Sequence, residues 1–350
     1  MRTSDPQVVI GLDVGGTCTN ATAMDDSGRF LVDRLVEVPS CVKQGPEAAV
    51  DALIEAMDIV LEMTGTARDA VCAVGLDTPG PASADGVLSA QGATNFSQPA
   101  WRGYDFRGAL ATRLGLPVVY NNDGNAAALY AHHVYYGAEA HRYSSVAAIV
   151  GTGLGGGVIE SGRVISGSAG QAGEIGHVNI PMQGLLAPDQ PVPLCNCGLE
   201  GDSESLASLT GIEKNLLPYW LTKFPGHELG DVDPAKAAKL VRSFGERGDP
   251  LALKIFEQQA MALGRIFSIA AMFTDPSAYF VGGGVVEAAP HFRDWFLTKV
   301  CEGTSLRDEQ RRIATFALVP DLDMAGARGA ALAARAMHHD TLAAAAAAAV

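Results

Sequence analysis

Apolar positions in this chain fall into short unbroken runs closed by glycine, and these alternate with longer stretches at helical spacing. The first run, VVIGLDV, ends in Gly15-Gly16-Thr17. NATAMDD follows at once, and a turn at Ser27-Gly28 leads into RFLVDRLVEV, which predicts a β-meander opening a sheet. Residues 45–64 repeat apolar positions at helical spacing after a Gly-Pro start. AVCAVGLD and PVVYNND read as buried strands, the second running into the helical GNAAALYAHHVYYG. Then the pattern restarts: SSVAAIV is a strand, Gly151 to Gly157 a loop, GVIE a strand, Ser161-Gly162 a turn and RVISG a third strand. Residues 205–275 are strongly helical, and PLALKIFEQQAMALGRIFSIAAMF is long enough for a core helix. SAYFVGGGVV is a strand entering a glycine turn, and AGARGAALAARAM is the last helix. Two halves that each begin strand, glycine turn, strand look like one architectural unit used twice. The expected division is an N-terminal α/β lobe at 1–122 and a larger α/β lobe at 123–325. A helix in 326–350 returns to the first lobe and ends in an alanine-rich tail.

Glycine turns follow strands at Asp13 to Thr17, Gly151 to Gly157 and Gly282 to Gly284. Any one is explained by a tight turn; together they suggest backbone N–H groups converging on phosphate oxygens. Gly151, Gly153 and Gly156 satisfy the spacing of the dinucleotide fingerprint, but that fingerprint needs a helix at the loop, and GGGVIESGRVIS continues as a hairpin. No P-loop motif is present in the sequence. What remains is a hairpin-type nucleotide-phosphate loop with a carboxylate, Asp13, on the first turn, suited to placing Mg²⁺ and its waters beside ATP.

Phosphoryl transfer to a hydroxyl needs a base. Asp123 in YNNDGNAAAL stands at a strand end among the amides Asn121, Asn122 and Asn125, which suits either a general base or a helix N-cap.

Composition narrows the class. With 350 residues, 48% apolar and 18% charged, the chain can bury a large core in two lobes. A formal net charge of −14 without a basic stripe argues against a nucleic-acid surface. The polar opening MRTSDPQ is not a signal peptide, and no run is long and charge-free enough to span a bilayer. The scattered cysteines, expected as mostly buried free thiols, fit a reducing cytoplasm.

With these pieces in place, the chain resembles the ROK family (repressors, open reading frames and sugar kinases), and within it the glucokinase-like members. GLDVGGT resembles the first phosphate motif, and PGPASADGVL with NFSQPAWRG the Pro-Gly-Pro and Asn…Trp segments. NNDGNAAAL resembles the catalytic segment, GTGLGGG the second phosphate motif and GGGVV the adenosine-side turn. GSAGQAGEIGH followed by CNCGLEGDSE resembles the family signature. The resemblance implies a two-lobed actin-like ATPase (ribonuclease H-like) α/β fold with duplicated mixed-sheet domains and flanking helices.

It implies Asp123 as general base, and Asn95, Asn122, Glu174, His177 and Glu204 as sugar ligands. The phosphates would be held near Asp13, Gly15, Gly16, Thr17, Gly151, Thr152, Gly153, Gly155, Gly282, Gly283 and Gly284. Taken alone, Glu204 also suits a helix first turn and His177 a satisfied strand histidine. ATP with Mg²⁺ is the implied donor, a hexose such as glucose at O6 the implied acceptor, and a homodimer the implied assembly. Mannose, a hexosamine, fructose or a cyclitol would use the same carboxylates. An NAD-dependent enzyme is disfavoured by the hairpin, and a sugar-sensing repressor by a core strand that begins at Gln7, ahead of which a helix-turn-helix has no room.

One departure stands out. The family binds a structural zinc with one histidine and three cysteines; here His177, Cys195 and Cys197 remain, but Asp202 stands at the third cysteine position, and the Pro-rich 181–194 stretches the spacing. Either Asp202 completes the site with oxygen or no zinc binds.

Overall fold

The computed structural model describes residues 7–80, 82–90 and 95–348, so the leader reading of residues 1–6 and Pro81 of the Pro-Gly-Pro segment lie outside the described residues. Two compact units form. One holds residues up to 134 together with 163–172 and 321 onward; the other holds 135–162 and 173–320.

In the first unit, β1 (Val8–Val14), β2 (Cys18–Asp25), β3 (Glu37–Pro39), β4 (Val71–Thr78) and β5 (Val118–Asn122) form a sheet of order β3-β2-β1-β4-β5. β1 pairs antiparallel with β2 and parallel with β4, and β4 pairs parallel with β5. The strand reading of residues 29–38 was too long. Only a bridge at Phe30 and the short β3 pair there, because Asp33, Arg34 and Leu35 break the alternation with exposed side chains. α1 (Pro46–Thr64) starts with proline in its first turn and stops at Gly65 in the left-handed region, burying Leu53, Met57 and Leu61. α2 (Phe106–Leu114) is capped by Asp105, whose carboxylate accepts the Gly108 N–H at 2.7 Å. α3 (Asp123–Tyr136) follows β5 directly.

The second unit repeats the plan. β6 (Ser145–Val150), β7 (Leu154–Glu160), β9 (Ala278–Gly283) and β10 (Thr315–Leu318) belong to it, and with the short β8 (Arg163–Val164) the sheet has the order β10-β9-β6-β7-β8. β6 is antiparallel to β7 and parallel to β9. Read from the other edge, this is the first sheet's order and polarity again, so the unit seen twice in the sequence is twice in the fold. β8 keeps only the first two residues of the expected RVISG strand. α4 (Glu204–Ala207), α5 (Leu209–Gly211), α6 (Leu217–Lys223), α7 (Pro234–Glu246) and α8 (Pro250–Thr274) cover the sheet with α9 (Pro290–Gly303) and the short α10 (Asp308–Arg311). Phe256, Phe292 and Phe296 meet edge to face between α8 and α9, and Phe267 packs on Tyr279 of β9.

α11 (Leu322–Ala348) completes the first unit and runs through the alanine tail, since alanine is the best helix former. It lies directly on β1 and β4. A Cβ at Gly11 or Gly75 would come 1.9 Å from the Ala327 or Ala330 carbonyl oxygen, so only glycine lets helix and strands approach this closely. Arg328 fixes its first turns by donating to Asp321 (3.0 Å) and Tyr130 (2.5 Å) while covering the Phe30 ring. No described helix is long and apolar enough to cross a membrane. Of the scattered cysteines, Cys18, Cys41 and Cys72 are half-buried and Cys301 exposed. Buried thiols at these positions were therefore the wrong expectation, because each lies at a strand end, a turn or an outer helix face.

Candidate active site

Because β1, β4 and β5 run parallel, their carboxyl ends share one edge of the first sheet, the usual ligand edge of such sheets. Three acids stand there: Asp13, Asp77 and Asp123. After Asp13 the chain turns through Gly15–Thr17, where the Gly15 N–H donates to the Cys18 carbonyl at 2.8 Å. Gly16 lies against the exposed Asn95, whose Oδ1 would be 2.7 Å from any Cβ placed on it.

At the end of β5, Asn122 accepts the Asn125 N–H at 2.7 Å and so caps α3. Asp123, the first helical residue, is exposed and accepts the Gly124 N–H at 2.7 Å. Of the two residues that suit a cap, Asn122 takes that role.

Asp77 went unnoticed in the sequence. It is the register partner of Asp13 and fully buried, and neither of its oxygens meets a hydrogen-bond donor among the described residues. Burial, then the charge of Asp13, pushes its pKa well above the usual carboxylate range. Asp13 is also raised by burial, against its contacts with Asp77 and Asn20. A signal existed: the tripeptide Gly-Leu-Asp occurs at 11–13 and again at 75–77, and the two copies pair residue by residue.

In the second unit the turn between β6 and β7 is tighter than expected. Gly151, Thr152 and Gly153 make it, with the Gly151 N–H on the Gly153 carbonyl at 2.9 Å, while Gly155, Gly156 and Gly157 belong to β7. Likewise Gly282 and Gly283 end β9, and Gly284 opens a 3₁₀ turn. These two turns and helices α5, α7 and α8 enclose a cavity of about 390 Å³ lined by Thr152, Leu209, Lys239, Arg242, Phe256 and Gln259, among others. Arg242, on a helix to which no role was given, donates to the Gly284 carbonyl and to Glu287 (2.9 Å).

Glu174 is not on a strand with His177. It follows a turn at Ala172–Gly173, where Gly173 has φ 90°, and precedes a 3₁₀ turn, Ile175–His177. Ser203 ties this turn down, donating to the Ile175 and Gly176 carbonyls at 2.7 and 3.1 Å.

His177 is thereby placed with Nδ1 3.3 Å from Asp202 Oδ2, and Cys197 Sγ lies 3.5 Å from the same oxygen. Donor atoms of His177, Cys195, Cys197 and Asp202 all fall within 4.8 Å of one another. Asp202 is fully buried; burial raises its carboxyl, but the contacts with His177 and the two thiols outweigh it and hold the pKa low. The Asp202 carboxylate in turn raises His177 to about 9. Two sulfurs, one imidazole and one anionic carboxylate form a set that fits zinc. Glu204, the first residue of α4, accepts the Leu154 N–H at 2.8 Å through Oε2, and Cys195 Sγ lies 3.3 Å from its Oε1.

Known proteins share this architecture. The glucokinase of Halalkalibacterium halodurans is 29% identical over 313 residues, 85% of this chain and 89% of that protein. An N-acetyl-D-glucosamine kinase of Escherichia coli O127:H6 is 31% identical over 283 residues, 79% and 83% of the two chains. The crystal structure of the ROK hexokinase from Thermus thermophilus superposes with a TM-score of 0.74 at 32% identity, covering 95% of this chain and all of that one. The duplicated mixed sheets are thus those of the actin-like ATPase fold. Residues 9–337 match the ROK family as a whole, and the chain belongs to that family as an ATP-dependent carbohydrate kinase.

Proposed function

We propose that this kinase transfers the γ-phosphate of ATP to a hexose, at O6 of glucose. The observation that carries the reading is the start of α3. Asn122 is committed as the cap, so the neighbouring Asp123 carboxylate is held exposed at the strand edge. A carboxylate so placed accepts the proton of the attacking hydroxyl as the oxygen bonds to the γ-phosphorus. In the second unit Glu174, His177 and Glu204 carry groups that suit sugar hydroxyls, and in the first unit Asn95 and Asn122 do.

The turn at Gly15–Thr17 in the first unit and the turn at Gly151–Gly153 in the second each carry backbone N–H groups that suit phosphate, and in the second unit the cavity between Thr152 and Arg242 takes the nucleoside. Asp13, beside the first turn, would hold the waters of Mg²⁺. Bound with ATP, Mg²⁺ held this way would supply charge neutralisation at the transferring phosphoryl group. His177, Cys195, Cys197 and Asp202 would hold a structural zinc.

A second acceptor, an N-acetylated hexosamine, has support from the E. coli relative. Coupled-assay turnover with ATP across hexoses, hexosamines and cyclitols separates these: glucose is expected to give the highest kcat/KM. A leading hexosamine or cyclitol reassigns the acceptor, and no turnover with any of them overturns the reading.

A further inference from the structure

We propose that Glu204, beyond the sugar contact proposed above, positions the phosphate turn by tying it to the His177, Cys195, Cys197 and Asp202 cluster, so that metal in the cluster tightens nucleotide binding. The proposal rests on the reading that the cluster holds zinc and that Gly151–Gly153 meets nucleotide phosphates.

The linkage is short and continuous. Asp202 is fully buried and anchors the start of α4, its Oδ1 accepting the Ser205 N–H at 2.9 Å while Oδ2 faces His177 and Cys197. Glu204 lies two residues on. Its Oε1 accepts from the Cys195 thiol at 3.3 Å, and its Oε2 accepts the N–H of Leu154, the first residue of β7 directly after the phosphate turn, at 2.8 Å; zinc takes Cys195 as thiolate, so in the loaded protein the Leu154 bond is the contact this carboxylate keeps. The same carboxylate lies against the turn's backbone: a Cβ on Gly153 would sit 2.6 Å from Oε2.

Residues just after α4 hold the other side of the turn. Leu209 N–H donates to the Gly151 carbonyl at 3.0 Å, and Thr210 donates to the Thr152 carbonyl through N–H (3.1 Å) and Oγ1 (2.8 Å).

A glycine turn binds phosphate well only if its N–H groups are already aligned, because ordering them on binding costs free energy. Here the alignment is imposed from one direction, by a segment whose first residues are cluster ligands or lean on one. When the cluster loosens, the start of α4 shifts, and the Leu154 bond is the contact that transmits it. Coupling of this kind is reciprocal: bound nucleotide should strengthen metal binding by the factor by which metal strengthens nucleotide binding.

The experiment uses the full chain, zinc-loaded and chelator-stripped, as the parent protein and as Glu204→Ala and Glu204→Gln. Zinc content, ADP affinity by calorimetry and amide exchange of the peptide containing Leu154 are measured on each. In the parent, stripping zinc should weaken ADP about tenfold, within the usual range of coupling free energies, and speed exchange at Leu154. In Glu204→Ala, ADP should bind weakly with or without zinc, the two values within about twofold. Glu204→Gln keeps an acceptor for the Leu154 N–H and should restore part of the difference; it also serves if the alanine variant does not fold.

Zinc uptake that leaves ADP affinity and Leu154 exchange unchanged in the parent overturns the coupling while sparing the zinc site. An equal response to stripping in Glu204→Ala overturns the role of Glu204. A parent that takes up no zinc at all removes the reading of the cluster on which the proposal stands.

Discussion

Replacing Asp77 by asparagine should make the protein more stable, and more so as pH rises. The side chain is fully buried, neither oxygen meets a donor among the described residues, and its register partner is another carboxylate, Asp13. Burial and Asp13 raise its pKa in the folded state above the unfolded value of about 3.9. The folded chain therefore binds more protons than the unfolded chain between those two values. Stability then falls as pH climbs from about 4 through the folded pKa, and levels off above it. Asparagine has the same shape, carries no charge, and can donate to Asp13.

Relieving one buried polar group that lacks partners is worth about 1–3 kcal/mol. At about 2–4 °C per kcal/mol for a unit of this size, Tm should rise by roughly 2–12 °C at pH 8. The gap between variant and parent should narrow steadily toward pH 5. Differential scanning calorimetry on both proteins across that pH range is the assay. A variant that melts at or below the parent at pH 8, or a gap that does not change with pH, would refute the account of Asp77 as a strained buried acid.

Asp123→Asn keeps size and exposure but removes the base, so kcat should fall about 10²-fold or more with little change in the sugar KM; near-normal turnover takes Asp123 out of the chemistry. Arg242→Ala frees the Gly284 turn and removes a cation from the cavity, so the KM for ATP should rise about tenfold, the scale of one charge-assisted hydrogen bond, while the sugar KM stays put. An unchanged ATP KM would show that the cavity is not the nucleoside site. Protein purified without a metal-affinity tag should carry one zinc per chain by elemental analysis and lose several degrees of Tm on chelation; full activity in zinc-free protein with an unmoved Tm would mark the cluster as a plain hydrogen-bonded knot.

The sheets were legible because period, glycine punctuation and helix spacing agree along most of the chain. Where they disagreed, local chemistry decided: Asp33-Arg34 cut short one expected strand, and a turn at Ala172–Gly173 leads into the 3₁₀ turn Ile175–His177 where a strand histidine was expected. That His177, Cys195, Cys197 and Asp202 meet was to be expected from the resemblance, and all but His177 lie within one loop. Asp77 was overlooked because a single acid after an apolar run looks like a strand end; only pairing with β1 shows that it has nowhere to put its charge. The bond from Leu154 to Glu204 joins residues fifty positions apart, and nothing local announces it. Arg242 has the same character, an ordinary helix cation until β9 delivers Gly284 beneath it.

The placement of α11 sets an order of events during synthesis. The sheet of the first unit is translated early, yet the helix that covers Gly11 and Gly75 lies in residues 322–348, after nearly all of the second unit. On the ribosome β1 and β4 must therefore wait with one apolar face uncovered, while residues 135–162 and 173–320 supply a body that can close first. The first unit to be made is the last to be finished. Chains arrested or cut before residue 322 should present that bare strand face to chaperones, and a segment supplied separately with the sequence of α11 has a groove already shaped to receive it.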